Sequence, residues 1–262
     1  MARRSRLIVL IPVFNEEQNI PALLGSLNRI QNQYKNTISL SIYLIDDGST
    51  DQTVVLARKN SRKLCLKVIE HDSNQGPGAA FGSGFAALRR VLRADDWVLT
   101  MEGDNTSRYE IIEKMLVRSR EGFDAVFASP YQYGGGFTKT NLLRRFLSSA
   151  ANLLVKDLLD IRGILTVSSF FRLYRGATIL RLQKVFGAAL LERRGFESMV
   201  EMVMKMVMLQ LSISEVSMVL DSSQRRGKSK MKIGKTAFGY FSLWRCRSKW
   251  LRMANESLKE ET

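Results

Sequence analysis

A chain of 262 residues with 45% hydrophobic content is long enough to bury the core of one large α/β domain, with or without a short appendage. Its net charge of +15 points to phosphates on a partner, whether nucleic acid, anionic lipid or phosphorylated small molecules. Cys65 and Cys246 match no zinc or redox spacing, which makes a reduced compartment the default, and a single histidine, His71, excludes a His-rich metal centre, so any metal should be a hard, oxygen-bound cation.

Leu7 to Phe14 is continuously apolar and reads as a fully buried strand. Basic residues precede it, but the apolar run ends at Val13 and Asn15-Glu16-Glu17 follows without a small-residue cleavage site, so a strand is expected rather than a signal peptide. A helix follows with Pro21 in its first turn and Leu23, Leu24, Leu27 and Ile30 at core-facing spacing. A second strand, Ile38 to Ile45, ends in Asp46-Asp47-Gly48, and Ser49 with Gln52 is expected to form a capping box for the next helix. A third strand, Leu64 to Ile69, leads into the glycine-rich NQGPGAAFGSGFAAL, where Phe81, Phe85 and Leu88 mark one helix face. Trp97 to Met101 is the fourth strand, followed by a helix near Tyr109 to Arg120 and a fifth strand at Asp124 to Ala128.

Five short alternations of strand and helix predict βαβ units and a mostly parallel, doubly wound sheet with helices on both faces. Such sheets bind ligands at the carboxyl ends of their strands. Polar clusters fall there: Asn15-Glu16 after the first strand, Asp46-Asp47 after the second, Glu102-Gly103-Asp104 after the fourth. Beyond Ala128 the alternation breaks. Residues 129 to 140 read as a glycine-rich loop, then an amphipathic helix through about Leu159, a strand from Ile164 to Tyr174, a Met-rich helix from Phe196 to Leu211 and a half-exposed strand from Ile213 to Leu220. From Ser222 to Asn255 there are ten Lys and Arg and no acid.

Each cluster has a plain and a chemical reading. In an extended segment Glu102 and Asp104 share a face, roughly 6.5 to 7 Å apart, and their repulsion is relieved by a divalent cation such as Mg²⁺ or Mn²⁺ on a diphosphate, with Gly103 opening the backbone to a phosphate. The plain reading is a polar turn. Asp46 and Asp47 suit hydrogen bonds to a ribose or base, against a glycine turn with a helix cap. Gly76 and Gly78 either present backbone N–H groups to a phosphate or allow tight helix packing. RRGKSKMKIGK, residues 225 to 235, is a solvated basic loop or a flap closing on phosphates. Phe238, Phe241, Trp244 and Trp250 are mixed with Arg245, Arg247, Lys249 and Arg252 on one helix, which suits either a membrane interface or packing on the domain. The Met stripe from Met199 to Met208 reads as core.

Taken in order, PVFNEEQNI, IDDGSTDQT, NQGPGAAFGSGFAAL, MEGDNTS, the FFRLYRG segment and EVSMVLDSSQRRGKSK resemble the motifs of inverting, family-2 glycosyltransferases. The set is similar, more narrowly, to the dolichol-phosphate mannose synthase and polyprenyl-phosphate glycosyltransferase branch, over about residues 6 to 235. This resemblance implies a GT-A fold, Rossmann-like, over residues 1 to 235, followed by a basic, aromatic, amphipathic helix and tail over 236 to 262. It also implies a nucleotide-diphosphate sugar donor, GDP-mannose or a UDP-hexose, and a divalent cation, Mg²⁺ or Mn²⁺. By position it makes Glu102 and Asp104 metal ligands and Asp104, Arg226 and Lys230 catalytic. Pro12, Asn15, Glu16, Asp46, Asp47, Gly76, Gly78, Gly103, Arg225 and Ser229 become donor contacts.

The chain also departs from the branch. Glu102 replaces the first Asp of the metal motif, Pro130 stands where an Arg is usual after the fifth strand, and Thr166 and Phe170 replace the Asp and Gly of the pattern that ends in Phe171-Arg172. Gln224 stands where an Arg is typical. The expected reaction is transfer of the sugar, with inversion, to a polyprenyl-phosphate acceptor, which is already an anion and needs no general base. A hydroxyl acceptor on a glycan, protein or small molecule is the alternative, with Glu197 or Glu201 as base. A basic nucleic-acid or anionic-surface binder is the non-enzymatic alternative, disfavoured by the acidic clusters, so no nucleic acid is expected. With no run of about 18 apolar residues, no transmembrane helix is expected; the location expected is the cytoplasm, at the cytoplasmic face of a membrane through the C-terminal segment.

Overall fold

The computed structural model describes residues 5–104, 110–138, 156–157, 159–221 and 233–260. In chain order these form β1 (Ser5–Val13), α1 (Ile20–Gln33), β2 (Ile38–Asp46), α2 (Thr53–Asn60), β3 (Cys65–Glu70), α3 (Pro77–Leu88), β4 (Trp97–Thr100), α4 (Glu110–Arg120), β5 (Ala125–Ser129) and β6 (Gly136–Thr138). Then come β7 (Arg172–Arg175), α5 (Gly176–Phe186), α6 (Ser198–Met208), β8 (Ile213–Ser217), β9 (Val219–Asp221) and α7 (Ile233–Glu260).

Seven strands build one sheet in the order β3-β2-β1-β4-β7-β5-β8. Every pairing is parallel except those of β7, which runs antiparallel between β4 and β5. Because side chains alternate across a strand, β1 feeds two cores at once. Leu7, Val9, Ile11 and Val13 pack with α1, α2 and α4, and Ile8 and Leu10 pack with α3, α5, α6 and α7. Helices on both faces explain why β1 is apolar throughout rather than alternating.

Four sequence expectations change, the first being the glycine-rich loop expected over 129 to 140, within which Gly136–Thr138 forms β6. The region from Ile164 to Tyr174 forms a strand only at Arg172–Arg175. Side chains satisfy its preceding backbone instead: Glu215 accepts the N–H groups of Leu165 and Thr166 at 2.7 and 2.8 Å, and Thr100 Oγ1 donates to Phe170 O at 2.7 Å. The expected strand from Ile213 to Leu220 divides at Met218, whose N–H donates to Ser129 O while its own carbonyl accepts from Gly136, so β9 pairs with β6 in a separate two-stranded sheet. The capping box at Ser49 and Gln52 does not form. Gln52 makes no side-chain cap bond and Ser49 Oγ is taken by the Asn15 N–H at 2.8 Å; Asp51 Oδ1 instead accepts the Thr53 N–H at 2.9 Å at the start of α2. The amphipathic helix expected between residue 140 and Leu159 lies mostly outside the described residues.

Candidate active site at the carboxyl ends of the strands

The parallel order β3-β2-β1-β4 sets the acidic clusters side by side, and hydrogen bonds lace them together. Leaving β1, the chain turns at Asn15, whose φ of 51° is left-handed, a conformation Asn tolerates better than most residues. From there the Asn15 carbonyl oxygen of the side chain accepts the Thr50 N–H at 2.8 Å, and the Glu16 N–H donates to Thr53 Oγ1 at 2.7 Å. Glu16 Oε2 accepts from Asn19 Nδ2 at 2.6 Å.

Gly103 brings the third cluster against the first. A Cβ there would lie 2.7 Å from Val13 Cγ1, 3.1 Å from Pro12 O and 3.7 Å from Glu16 Cγ, so the glycine is required for the end of β4 to pack on the end of β1. Close packing, rather than open access for a phosphate, accounts for it. Pro12 and Glu16 thereby converge with Glu102 and with Asp104, which is only 5% exposed. Both acids offer hard oxygen donors of the kind Mg²⁺ or Mn²⁺ prefers. Among the described residues no three Asp, Glu, His or Cys side chains gather to cage a metal. A two-carboxylate seat completed by phosphate oxygens and water fits this donor set.

Asp46 and Asp47 are consecutive and equally buried, at 3% each, yet their surroundings differ. Asp47 is fully engaged: Oδ1 accepts the Gln75 N–H at 3.0 Å and Oδ2 the Gly76 N–H at 2.7 Å, and His71 Nδ1 lies 2.8 Å from Oδ1. Asp46 Oδ2 accepts the Ser49 N–H at 3.0 Å, whereas its Oδ1 is buried without a partner among the described residues. A buried acceptor left open costs on the order of 1–3 kcal/mol, so Asp46 Oδ1 is the oxygen that a ligand N–H or O–H would satisfy.

The start of α3 is sealed. Pro77 has no N–H, the N–H groups of Gln75 and Gly76 go to Asp47, and those of Gly78 and Ala79 go to Arg194 O at 2.7 and 3.3 Å. A Cβ at Gly76 would sit 2.4 Å from Arg194 O, and one at Gly78 would sit 2.2 Å from Arg193 O. Of the two readings weighed for these glycines, packing is the one the geometry supplies; the N–H groups expected to meet a phosphate are already bound.

Residues 192 to 195 that press on α3 are held from beneath. Glu201, fully buried, accepts the N–H groups of Glu192 and Arg193 at 2.9 Å each and pairs with Lys205 at 2.5 Å. Burial pushes Glu201 up from its ordinary value against the pull of Lys205, and pushes Lys205 down. Enclosed and fully bonded, Glu201 has no path to an acceptor hydroxyl and cannot serve as the general base considered for it. Glu197 accepts a longer bond from Gly195 at 3.3 Å and lies beside Tyr240, whose hydroxyl is pushed up to about 12 by burial and by the Glu197 charge.

At the β5 end, Ser129 Oγ and Thr166 Oγ1 lie 2.5 Å apart, both buried, so a neutral hydroxyl pair occupies this junction. Next to it Arg172 is wholly buried, donating to Val167 O at 2.5 Å and Met199 O at 2.8 Å and stacked 4.3 Å from the Phe127 ring. Sequence reasoning singled out neither the Ser129–Thr166 pair nor the roles of His71, Glu215 and Arg172. Apart from Val167, five residues before Arg172, their partners lie twelve or more residues away in the chain. Arg225, Arg226, Ser229 and Lys230 lie outside the described residues, beginning just after β9 ends at Asp221.

An open, mostly parallel sheet with acids at its carboxyl ends is the architecture of GT-A glycosyltransferases. Glucosyl-3-phosphoglycerate synthase from Mycobacterium tuberculosis, solved with Mn²⁺ and UDP-glucose, shares the fold with a TM-score of 0.64 at 15% identity, over 93% of this chain and 79% of that one. The chain belongs to glycosyltransferase family 2, matching the description "Glycosyl transferase family 2" over residues 8–181. A dolichol-phosphate mannosyltransferase from Pyrococcus furiosus is 30% identical over 234 residues, covering 88% of this chain and 60% of that protein. A polyprenol monophosphomannose synthase from Mycolicibacterium smegmatis is 28% identical over 233 residues, covering 86% and 81%. This chain therefore spans about three fifths of the archaeal relative and four fifths of the bacterial one.

Proposed function

We propose that the protein transfers a hexose, with inversion, from a nucleotide-diphosphate sugar to a polyprenyl-phosphate-type lipid. The observation that carries this reading is the convergence of Pro12 and Glu16 with Gly103, between the acids Glu102 and Asp104, in a family-2 chain whose relatives include two prenyl-phosphate mannosyltransferases by name. In this reading Asn15, Glu16 and Asp46 line the nucleotide subsite, and Asp47 holds its floor. Glu102 and Asp104 hold a divalent cation, Mg²⁺ or Mn²⁺, which when bound offsets negative charge on the leaving diphosphate. Arg225, Arg226, Ser229 and Lys230 are assigned to a flap over the phosphates, with Arg226 and Lys230 supplying positive charge during departure.

The phosphate acceptor follows the relatives' names, and the state of Glu201, sealed and spent on the 192–195 backbone, removes one of the two bases considered for a hydroxyl acceptor, leaving Glu197. The acceptor phosphate is already an anion and attacks without a base. We also assign the protein to the cytoplasmic face of a membrane through α7. No described helix is long and apolar enough to cross a bilayer. One face of α7 buries Leu243, Trp250 and Ala254, whereas Phe241 and Trp244 stand 50% and 49% exposed and stack at 6.1 Å beside exposed Arg245 and Arg252.

The direct test is incubation with undecaprenyl or dolichyl phosphate, Mn²⁺ and radiolabelled GDP-mannose, UDP-glucose or UDP-galactose. Label in an organic-extractable, mild-acid-labile lipid is the expected result. Label appearing only on added glycans or small-molecule hydroxyls would replace the lipid acceptor with the alternative.

A further inference from the structure

The lone histidine has no part in the chemistry above, yet both of its ring nitrogens are used. We propose that His71 is a positioning residue for donor binding: it fixes the Asp47 carboxylate, which in turn holds the turn between β3 and α3 beneath the nucleotide. The inference rests on the donor reading given under Proposed function.

His71 directly follows β3, and its side chain is 9% exposed. Its backbone N–H donates to Asp46 O at 2.9 Å, which ties it to the end of β2. Nδ1 meets Asp47 Oδ1 at 2.8 Å and Nε2 meets Ser83 Oγ at 2.9 Å. Asp47, as a carboxylate, only accepts, so the shared hydrogen is on Nδ1. In the neutral ring Nε2 then accepts from the Ser83 hydroxyl. The ring therefore joins the end of β2 to the middle of α3, across the mouth where β3 ends.

Three donors share the two oxygens of Asp47: His71, Gln75 and Gly76. Gly76 has a φ of 102°, and its turn is wedged between Asp47 and Arg194 O. Removing the imidazole takes away the only side-chain donor among the described residues and frees the carboxylate to rotate about the two backbone bonds. The turn it holds adjoins the loop after Asp46, where a Cβ at Gly48 would lie 2.7 Å from the Ser73 backbone, so the loss is felt as weaker nucleotide binding rather than slower chemistry. A ring needed only to fill space would leave both nitrogens replaceable by carbon.

That distinction sets the test, made on the full chain with Mn²⁺. UDP and GDP affinities are measured by calorimetry, and donor KM and kcat by steady-state kinetics, for wild type, His71→Phe, His71→Asn and Ser83→Ala. Phe keeps the volume and loses both bonds; Asn keeps an N–H near the position of Nδ1. We expect His71→Phe to raise the nucleotide Kd and donor KM about tenfold, the effect of one charge-assisted hydrogen bond, with kcat within about threefold of wild type. His71→Asn should recover most of the affinity, and Ser83→Ala should lose about threefold.

Unchanged affinity in His71→Phe overturns the inference and leaves the donor reading intact. So does equal loss in the Phe and Asn variants, which marks a merely structural ring. If His71→Phe fails to fold, the Asn and Ser83→Ala variants decide: near-wild-type affinity in Asn with a small loss in Ser83→Ala supports the proposal, and no change in Ser83→Ala contradicts it. Wild type binding neither nucleotide overturns the donor reading and the inference together.

Discussion

Adjacent carboxylates at the end of β2 have separate employment, and mutation should separate them. Asp47→Ala strands the N–H groups of Gln75 and Gly76 and one side of His71, so it should cost roughly 2–4 kcal/mol of stability, read from denaturant unfolding. Asp46→Asn keeps the side chain's shape and an oxygen for Ser49, so its stability should change by less than about 1 kcal/mol while nucleotide affinity falls several-fold. Equal stability loss in the two variants would contradict this division. The sequence shows that Asp46 and Asp47 end a strand, because an apolar run stops there. It does not show which one keeps an open oxygen, since that depends on His71 and Gly76, more than twenty residues further on. Gly76, Gly78 and Gly103 illustrate the same limit. Each is recognisable as a close approach, but the approaching group is Arg194, Arg193 or Val13, and only the assembled fold names it.

Among elements, α7 is the one whose composition alone left two readings open; its buried face packs on the domain, and the membrane reading of its outward face is the proposal made above. Trp250 is fully buried, donates from Nε1 to Glu192 Oε2 at 2.5 Å and covers Lys205, whose Nζ lies 4.3 Å from its ring. Trp250→Ala should destabilise the protein by about 3–5 kcal/mol. Glu192 adds a pH dependence. Burial alone would raise its pKa, but hydrogen bonds from Lys249 and Trp250 outweigh that and hold it below the ordinary 4.5. With the folded value depressed, its contribution is present above the unfolded pKa and is lost as pH falls through the lower folded one. The melting-temperature gap between wild type and Glu192→Gln should therefore be widest near neutrality and close as pH drops below about 4.5. A gap that persists unchanged at pH 3 would refute the assignment. The first five strands and the three helices between the first four of them are legible from apolar periodicity and polar breaks. Legibility fades from residue 164 to 221, where side chains such as Glu215 and Thr100 replace the ladder as partners for the backbone.

For the whole molecule, a net charge of +15 favours phosphate-bearing partners, and the acids gathered at the strand ends mark the proposed place for the donor's phosphates. The outward face of α7 gives that preference a proposed surface. Replacing both Phe241 and Trp244 with Ser should cut co-sedimentation with vesicles containing anionic lipid at least threefold while leaving the melting temperature within a few degrees, because neither ring is in the core. Unaltered sedimentation would remove α7 from the membrane reading. The fold's central claim is narrower: Glu102 and Asp104 hold a divalent cation that binds the diphosphate of the donor. Calorimetric titration of UDP- and GDP-sugars into wild type and Asp104→Asn, each with Mn²⁺ and with EDTA, tests it most directly. The account predicts tight binding by wild type with Mn²⁺ alone, weakened at least tenfold by EDTA or by Asp104→Asn. Equal affinity across all four conditions would contradict it.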